Sequence, residues 1–271
     1  MSVQLLQAHW GFTKMPFGRD LAPSMLHRHR SHQEATARIT WSIEQHHIGL
    51  ITGEVGAGKT VAIRAATTAL DTSRHACVYI ANPAIGVRGL LHHIVAALGA
   101  VPNFYTAALV AQATDALAAE QAERGRTPVL IIDEAHLLDH PQMEAIRMLT
   151  NHDMDSGSPL ATLLVGQPAL RQKMRLSTLA ALEQRIGMRY AMPPMTDTET
   201  RDYIHHHIKL AGRADTLFTD DAITVIHTAS RGYPRAVNNL CVHALTAAYA
   251  RTNPIVDEKA ARAALTETAT D

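Results

Sequence analysis

The clearest chemical spacing in the chain belongs to a glycine-rich segment, Gly53-Glu54-Val55-Gly56-Ala57-Gly58-Lys59-Thr60. It fits the pattern G-x-x-x-x-G-K-[ST]. Glycine permits backbone conformations in which consecutive N–H groups converge on phosphate oxygens. Lys59 is placed to reach the β- and γ-phosphates of a nucleotide, and the hydroxyl of Thr60 to hold Mg²⁺. The segment therefore predicts a phosphate-binding loop.

The flanking residues supply the elements that such a loop needs. Residues 48–52 are apolar and partly β-branched, which predicts a strand, and residues 61–66 begin a helix. A strand, a glycine loop and a helix distinguish a phosphate cradle from an ordinary glycine turn, and the helix adds the positive end of its dipole. The predicted nucleotide contacts are Gly53, Glu54, Val55, Gly56, Ala57, Gly58, Lys59, Thr60 and Val61.

A second motif lies downstream, where two acidic residues follow the apolar run 129–132. The run reads as a buried strand of a parallel sheet, and ligands bind at the carboxyl ends of such strands. Asp133 is predicted to bind Mg²⁺ through water, together with Thr60, and Glu134 to polarise the attacking water as a general base. An isolated Asp-Glu pair more often caps a helix, but the loop at 53–60 favours the catalytic interpretation.

The remaining pattern predicts an α/β fold with a parallel sheet flanked by helices. Further strands are expected at 76–80, 161–166 and 188–192, with helices between them. Gln167 follows the fourth strand. If that strand neighbours the strand of Asp133, the amide of Gln167 is placed to hydrogen-bond the γ-phosphate or the attacking water.

Three regions are predicted: an N-terminal arm (1–30), an ATPase core (31–194) and a small all-helical lid (195–271), with Pro193-Pro194 as the hinge. Two capping boxes, at 31–34 and 196–199, predict helix starts. The arm is expected to be irregular over residues 1–20. Its aromatic residues suggest two hypotheses that stay open together, a hydrophobic tether and a contact of Phe17 with the nucleotide base.

Composition limits the remaining classes. The chain has 271 residues, of which 46% are hydrophobic, enough for a substantial core, and no apolar run is long enough to span a bilayer. Neither a secretory signal nor a membrane contact is expected. Cys77 and Cys241 are interpreted as buried thiols of a reducing compartment, which predicts a cytoplasmic protein.

The formal net charge is zero, so a contact with nucleic acid requires a local basic patch. Residues 171–189 form the most basic segment of the chain, with five cationic side chains against Glu183. We predict that double-stranded DNA is bound there without sequence specificity, through phosphate contacts. The predicted contacts are Arg171, Lys173 and Arg175.

Together these motifs resemble the AAA+ ATPases and, within them, the ExeA/TniB-like group of bacterial ATPases. The finer resemblance rests on Pro16-Phe17, on residues 50–60, on Asp133-Glu134-Ala135-His136, and on Leu164-Val165-Gly166-Gln167-Pro168 followed by Gln184-Arg185-Ile186. It covers about residues 8–250.

The resemblance implies further roles. Gln167 corresponds to sensor 1, Arg185 to an arginine finger that reaches the γ-phosphate of a neighbouring subunit, and Arg235 of Gly232-Tyr233-Pro234-Arg235 to sensor 2. Because such sites are shared between subunits, the resemblance implies a homo-oligomer, a ring or a filament, that hydrolyses ATP with Mg²⁺.

Members of this group differ in the work that hydrolysis drives. Compact members, similar to TniB, IstB and MuB, assemble on DNA with ATP, select the target and activate a DDE transposase. Secretion-associated members carry a membrane anchor and a peptidoglycan-binding segment, and this sequence ends at Asp271 with neither. A transposition accessory function is therefore expected. The alternatives are a secretion-pathway ATPase of the ExeA type and a nucleotide-gated protein switch that does not bind DNA.

Overall fold

The computed structural model describes residues 2–18, 21–151 and 158–268. The chain forms two compact units. The first, here called the sheet unit, comprises Glu34–Val55 and Lys59–Met192. The second, the helical unit, comprises Met1–Gln33, Gly56–Gly58 and Pro193–Asp271.

A five-stranded parallel sheet forms the centre of the sheet unit, with the strand order β2-β3-β4-β1-β5. The strands are β1 (Ile48–Thr52), β2 (His75–Ile80), β3 (Thr127–Ile132), β4 (Ala161–Gly166) and β5 (Ile186–Ala191). Every residue of β1 and β4 is buried, as expected of central parallel strands covered on both faces. The predicted α/β fold with a parallel sheet is confirmed.

The described residues form twelve α-helices. They are α1 (Val3–Trp10), α2 (Arg30–Glu44), α3 (Lys59–Thr68), α4 (Gly86–Ala97), α5 (Thr106–Ala122), α6 (His140–Leu149), α7 (Pro168–Met174), α8 (Ala180–Gln184), α9 (Asp197–Leu210), α10 (Asp220–Ser230), α11 (Pro234–Ala250) and α12 (Glu258–Thr268). Among these described residues, no helix combines the length and the apolar character that crossing a bilayer requires.

The register of the central strands brings three chain segments to one edge of the sheet. Ile132 of β3 pairs with Leu164 of β4, and Thr52 of β1 pairs with Gly166 of β4. The next residues along the chain, Asp133, Gln167 and Gly53, therefore leave the sheet together at its carboxyl edge. Gly53 is tied to this edge by its N–H, which donates to the carbonyl of Gly166 at 3.2 Å.

Gly49 of β1 lies where no side chain fits. A Cβ there would lie 2.8 Å from Leu163 Cδ2, 2.8 Å from Ser42 Oγ and 2.9 Å from Met188 Cε. These atoms come from α2 and from both strands that flank β1. The glycine therefore allows α2 and the neighbouring side chains to pack closely on the strand that leads into the phosphate-binding loop.

The N-terminal arm is not irregular throughout, since residues 3–10 form α1. Ser2 caps this helix by accepting a hydrogen bond from the N–H of Leu5 at 3.3 Å, and Gly11 ends it in the left-handed conformation. Leu6 and Trp10, four residues apart, place their side chains on one buried face. The expectation of an irregular segment was wrong because two apolar side chains at helical spacing, with a cap at each end, are enough to stabilise a short helix that packs on the core.

The two predicted capping boxes have different outcomes. The box at 196–199 is confirmed, since Thr196 and Glu199 exchange the expected side-chain and backbone hydrogen bonds at the start of α9. The box at 31–34 is wrong because α2 already begins at Arg30. Ser31 Oγ instead lies 2.9 Å from Nδ1 of His29, so its local hydrogen bond is with an imidazole.

Cys77 was expected to be buried, but the structure places it on the exposed face of β2. Because β2 is an edge strand, one of its faces is only partly covered. Cys241 of α11 is fully buried, as expected. Burial raises its pKa well above the ordinary value of a thiol, so it packs as a small apolar side chain.

Candidate nucleotide-binding site

The glycine loop has the backbone conformation that its sequence predicts. Gly56 and Gly58 have φ angles of +80° and +94°, in the region that favours glycine, and α3 begins directly after them at Lys59. A Cβ at Gly58 would meet no atom within 4 Å, so this side of the loop faces open space. This backbone, the open space and the helix N-terminus are the features that a phosphate-binding loop requires.

Lys59 is turned back onto the loop. Its side chain is buried, and its Nζ donates hydrogen bonds to the carbonyls of Gly53 at 2.8 Å and Glu54 at 3.0 Å. A buried ammonium requires such partners because leaving it unpaired away from water is costly. Phosphate oxygens are stronger acceptors than carbonyls for this charge, so a nucleotide competes with the loop for the ammonium.

Asp133 lies at the centre of the hydrogen bonds at the carboxyl edge. Its Oδ2 accepts from the Thr60 hydroxyl at 2.8 Å and from the Tyr79 hydroxyl at 3.0 Å. Its Oδ1 accepts from the N–H of Glu134 at 2.9 Å. Burial and the neighbouring Asp133 raise the pKa of Tyr79 to about 12, so its hydroxyl keeps its proton and donates. The carboxylate of Asp133 is thus fixed next to the phosphate loop.

These residues fit Mg²⁺. A threonine hydroxyl and a carboxylate, 2.8 Å apart, supply the hard oxygen ligands that Mg²⁺ prefers. Open space beside Gly58 leaves room for phosphates and for the waters that Mg²⁺ retains. Thr60 and Asp133 are therefore the residues that would hold the ion.

Glu134 has an unusual backbone and an unsatisfied side chain. Its φ of +50° is rare for a residue other than glycine and typical of functional positions. Its Oε2 is shielded from solvent and has no hydrogen-bond partner among the residues described here. This atom lies 3.3 Å from Nδ1 of His136, close enough for an ion pair with a protonated imidazole but not aligned as a hydrogen bond. A carboxylate oxygen of this kind is available to accept a proton.

Gln167 lies where the sequence predicted it, between the ends of β1 and β3. Gln167 directly follows β4, which pairs with both β1 and β3. It therefore lies between Gly53, which follows β1, and Asp133, which follows β3. It precedes α7, and its amide makes no capping hydrogen bond to that helix. Its assignment to the γ-phosphate or the attacking water stays a prediction.

Lys173 performs a task that the sequence did not indicate. Its ammonium donates to the backbone carbonyls of His136 and Leu138, at the far end of the loop that begins with Glu134. Lys173 thus joins α7, which follows Gln167, to the loop of the predicted general base. The same ammonium is a weak candidate for DNA phosphates, because these hydrogen bonds already occupy it. Arg171 and Arg175 are exposed.

Arg185 lies at the amino-terminal ends of the strands, whereas the phosphate loop lies at their carboxyl ends. It directly precedes Ile186, which pairs with Ile48, the first residue of β1, whereas the loop follows the last residue of β1. The first and last residues of β1 are four residue steps apart, about 13 Å at the usual rise per residue. Arg185 Nη1 donates to Thr150 Oγ1 at 3.3 Å, beside a cavity of about 510 Å³. An arginine here is remote from the nucleotide site of its own chain.

Outside the glycine loop, two predicted nucleotide contacts, Arg235 and Phe17, belong to the helical unit. Arg235 lies in the first turn of α11, and its N–H donates at 3.3 Å to the carbonyl of Gly56, which is grouped with this unit. Its role as sensor 2 stays a prediction. Phe17 is buried and stacked on His207, with the ring centroids 5.1 Å apart. The tether hypothesis for the arm is thereby confirmed, whereas the buried ring of Phe17 offers little surface to a nucleotide base.

The loop, the strand order and the acidic strand end define the P-loop fold of the AAA+ type. Residues 43–174 match the family model of the AAA domain. The chain is similar to general secretion pathway protein A of Aeromonas hydrophila, with 34% identity over 246 residues, which cover 89% of this chain and 44% of that protein. The chain thus spans less than half the length of this curated relative.

Two solved structures share the fold. The Aeropyrum pernix ORC2 protein in ADPNP-ADP complexes has a TM-score of 0.68 at 18% identity, and the match covers 93% of this chain and 71% of that chain. Drosophila ORC bound to DNA has a TM-score of 0.65 at 17% identity, with 98% and 65% covered. At these identities the similarity shows the fold alone.

Proposed function

We propose that the chain is a Mg²⁺-dependent ATPase that works as a homo-oligomer. The observation that supports hydrolysis, beyond nucleotide binding, is Oε2 of Glu134, which is shielded from solvent, makes no hydrogen bond among the described residues and lies 3.3 Å from Nδ1 of His136. A carboxylate oxygen without a hydrogen bond, directly after Asp133, suits a group that accepts a proton better than one that only helps to bind nucleotide. The oligomer follows from the assignment of Arg185 as an arginine finger, because from its position an arginine could reach a nucleotide only in another subunit.

Each residue of the site then has one task. Lys59 binds the β- and γ-phosphates, and Thr60 and Asp133 hold the Mg²⁺, which neutralises charge on the phosphates when bound. Glu134 accepts a proton from the attacking water, and Gln167 orients that water or the γ-phosphate. Arg185 of a neighbouring subunit supplies positive charge as the γ-phosphate leaves.

Nucleotide binding is tested by Lys59→Ala. We expect its affinity for ATP to fall by about 10- to 100-fold, since a hydrogen bond to a charged group contributes about 1.5–3 kcal/mol. Equilibrium titration with a fluorescent ATP analogue measures this. Lys259→Ala, at an exposed position of α12, is the matched control and should bind as the parent does. Equal affinity of the two variants would contradict the assignment of the loop.

For the work that ATP drives, we favour a secretion-pathway function of the ExeA type over transposition. The support is the 34% identity to general secretion pathway protein A. The end of the sequence at Asp271 is not an argument for transposition over secretion. The match with general secretion pathway protein A covers 44% of that protein, so the two sequences are compared over this part alone. We propose a cytoplasmic location from cysteine usage, because Cys77 and Cys241 are both free thiols, as is usual in a reducing compartment.

DNA binding is kept as a second candidate, supported by two exposed arginines of the basic segment, Arg171 and Arg175. One fold relative, Drosophila ORC, is a DNA-bound protein. Each subunit would add a few phosphate contacts to non-specific binding of a duplex. A transposition function with a DDE transposase as partner depends on this candidate.

The DNA candidate is tested by reversing both charges, Arg171→Glu with Arg175→Glu. We expect retention of a duplex in the presence of ATP to be lost, because each lost phosphate contact removes counterion release, and its salt dependence to become shallower. The control carries the same charge change at exposed Arg74 and Arg251. Equal loss in the control would mean that net charge alone matters. If the parent ignores DNA at low salt with ATP, DNA binding and transposition fall together.

A further inference from the structure

A tyrosine outside the sequence motifs contacts the aspartate of the predicted metal site. Tyr79 belongs to β2, and its hydroxyl donates to Asp133 Oδ2 at 3.0 Å. The ring is 42% exposed, unlike the side chains that form the core. Neither the glycine loop nor the acidic strand end includes this residue, and only the pairing of β2 with β3 brings it to Asp133.

The acceptor positions of Asp133 show what this contact does. An ionised carboxylate has about four acceptor positions, two on each oxygen. Both positions on Oδ2 are filled, by the hydroxyls of Thr60 and Tyr79, and one on Oδ1 is filled by the N–H of Glu134. Among the hydrogen bonds of the described residues, one position is left, and it is on Oδ1.

We propose that Tyr79 is a positioning residue for Mg²⁺: its hydroxyl fills the second acceptor position of Asp133 Oδ2 and so fixes the orientation of the carboxylate that, with Thr60, would hold the ion. This inference rests on the proposed Mg²⁺-dependent ATPase function. Without the hydroxyl, Oδ2 has a vacant position and the carboxylate can rotate, since the terminal torsion of aspartate has a broad energy minimum. Groups that orient a metal ligand in this way affect metal affinity by about 10- to 100-fold.

A merely structural role for the hydroxyl fits the surroundings less well. The fold holds Tyr79 through its backbone, which pairs with Ile131 and whose carbonyl lies 3.1 Å from Nε2 of His93. Neither contact involves the hydroxyl. Because the ring is partly exposed, removing one oxygen atom leaves no buried cavity. Among the described residues, the hydroxyl makes one hydrogen bond, to Asp133, so its loss acts on that carboxylate.

The test is the Mg²⁺ dependence of nucleotide binding by Tyr79→Phe. A fluorescent ATP analogue is titrated with EDTA present and then with increasing MgCl₂. We expect unchanged affinity without the metal and a half-saturating Mg²⁺ concentration raised about tenfold, at the lower end of the range for such groups because water can replace a partly exposed hydroxyl. Tyr105→Phe, an exposed tyrosine outside the site, is the matched control and should match the parent.

A double variant separates an effect through Asp133 from other effects. Asp133→Asn should itself raise the required Mg²⁺, and adding Tyr79→Phe should raise it no further. Equal behaviour of Tyr79→Phe and the parent would overturn the inference, as would full additivity with Asp133→Asn or a loss of metal-free binding. If the parent itself shows no Mg²⁺ dependence, the proposed function fails and the role of Tyr79 fails with it, whereas a Mg²⁺-dependent parent matched by Tyr79→Phe overturns the role of Tyr79 alone.

Discussion

Glu134→Gln is expected to lower the rate of ATP hydrolysis by about 100-fold or more, the usual size of a general-base contribution, while ATP and Mg²⁺ still bind. Glutamine keeps the size of the side chain but cannot accept the proton of the attacking water. Lys59, Thr60 and Asp133 keep their contacts, because none of them involves the Glu134 side chain. Single-turnover hydrolysis and equilibrium binding, measured on the same preparation, separate the two effects.

The matched control for this prediction is Glu144→Gln. Glu144 lies on α6 and pairs with Arg147 at 2.9 Å, outside the site, so its variant should hydrolyse ATP as the parent does. Parental turnover by Glu134→Gln would mean that another group activates the water. Equal loss in both variants would mean that the effect is one of general stability.

Arg185→Ala is expected to bind ATP normally and to lose hydrolysis, by about 1,000-fold or more if it acts as fingers do in related phosphoryl-transfer enzymes. Mixing it with Glu134→Gln should restore part of the activity. In a mixed oligomer, one kind of interface then combines an intact Glu134 of one subunit with an intact Arg185 of its neighbour. Steady-state hydrolysis across mixing ratios measures this recovery.

The control for Arg185 is Arg74→Ala. Arg74 is exposed and, like Arg185, directly precedes a strand of the sheet. The strand that it precedes is β2. Its variant should keep parental activity and give no complementation. If mixed oligomers of Arg185→Ala and Glu134→Gln form but show no recovery at any ratio, Arg185 does not act between subunits.

Local spacing was enough to predict the local structure at the centre of the candidate site. The glycine loop, the apolar strand before it and the acidic strand end each lie within a few consecutive residues, so their structure depends little on distant parts of the chain. The position of Gln167 relative to Asp133 depends on which strands flank β4, and this cannot be predicted from local spacing. In the structure β4 lies between β3 and β1.

Features that depend on strand register or on the partners of a side chain could not be predicted from the sequence. Tyr79 reaches Asp133 only because β2 pairs with β3 in one register, and a shift by one residue would turn the ring to the other face. Lys173 looked like part of a basic surface, but its ammonium is used inside the fold. Exposure of Cys77 follows from the edge position of β2, which strand propensity does not reveal.

The hydrogen bonds that Lys59 makes with its own loop have a consequence for the stability of this segment. The ammonium is buried and donates to the carbonyls of Gly53 and Glu54, which lie six and five residues earlier in the chain. One side chain therefore closes the loop onto the start of α3 as a local cross-link. A substitution that shortens this side chain removes two hydrogen bonds of the loop as well as a charge, so the segment should exchange its amide protons faster with solvent.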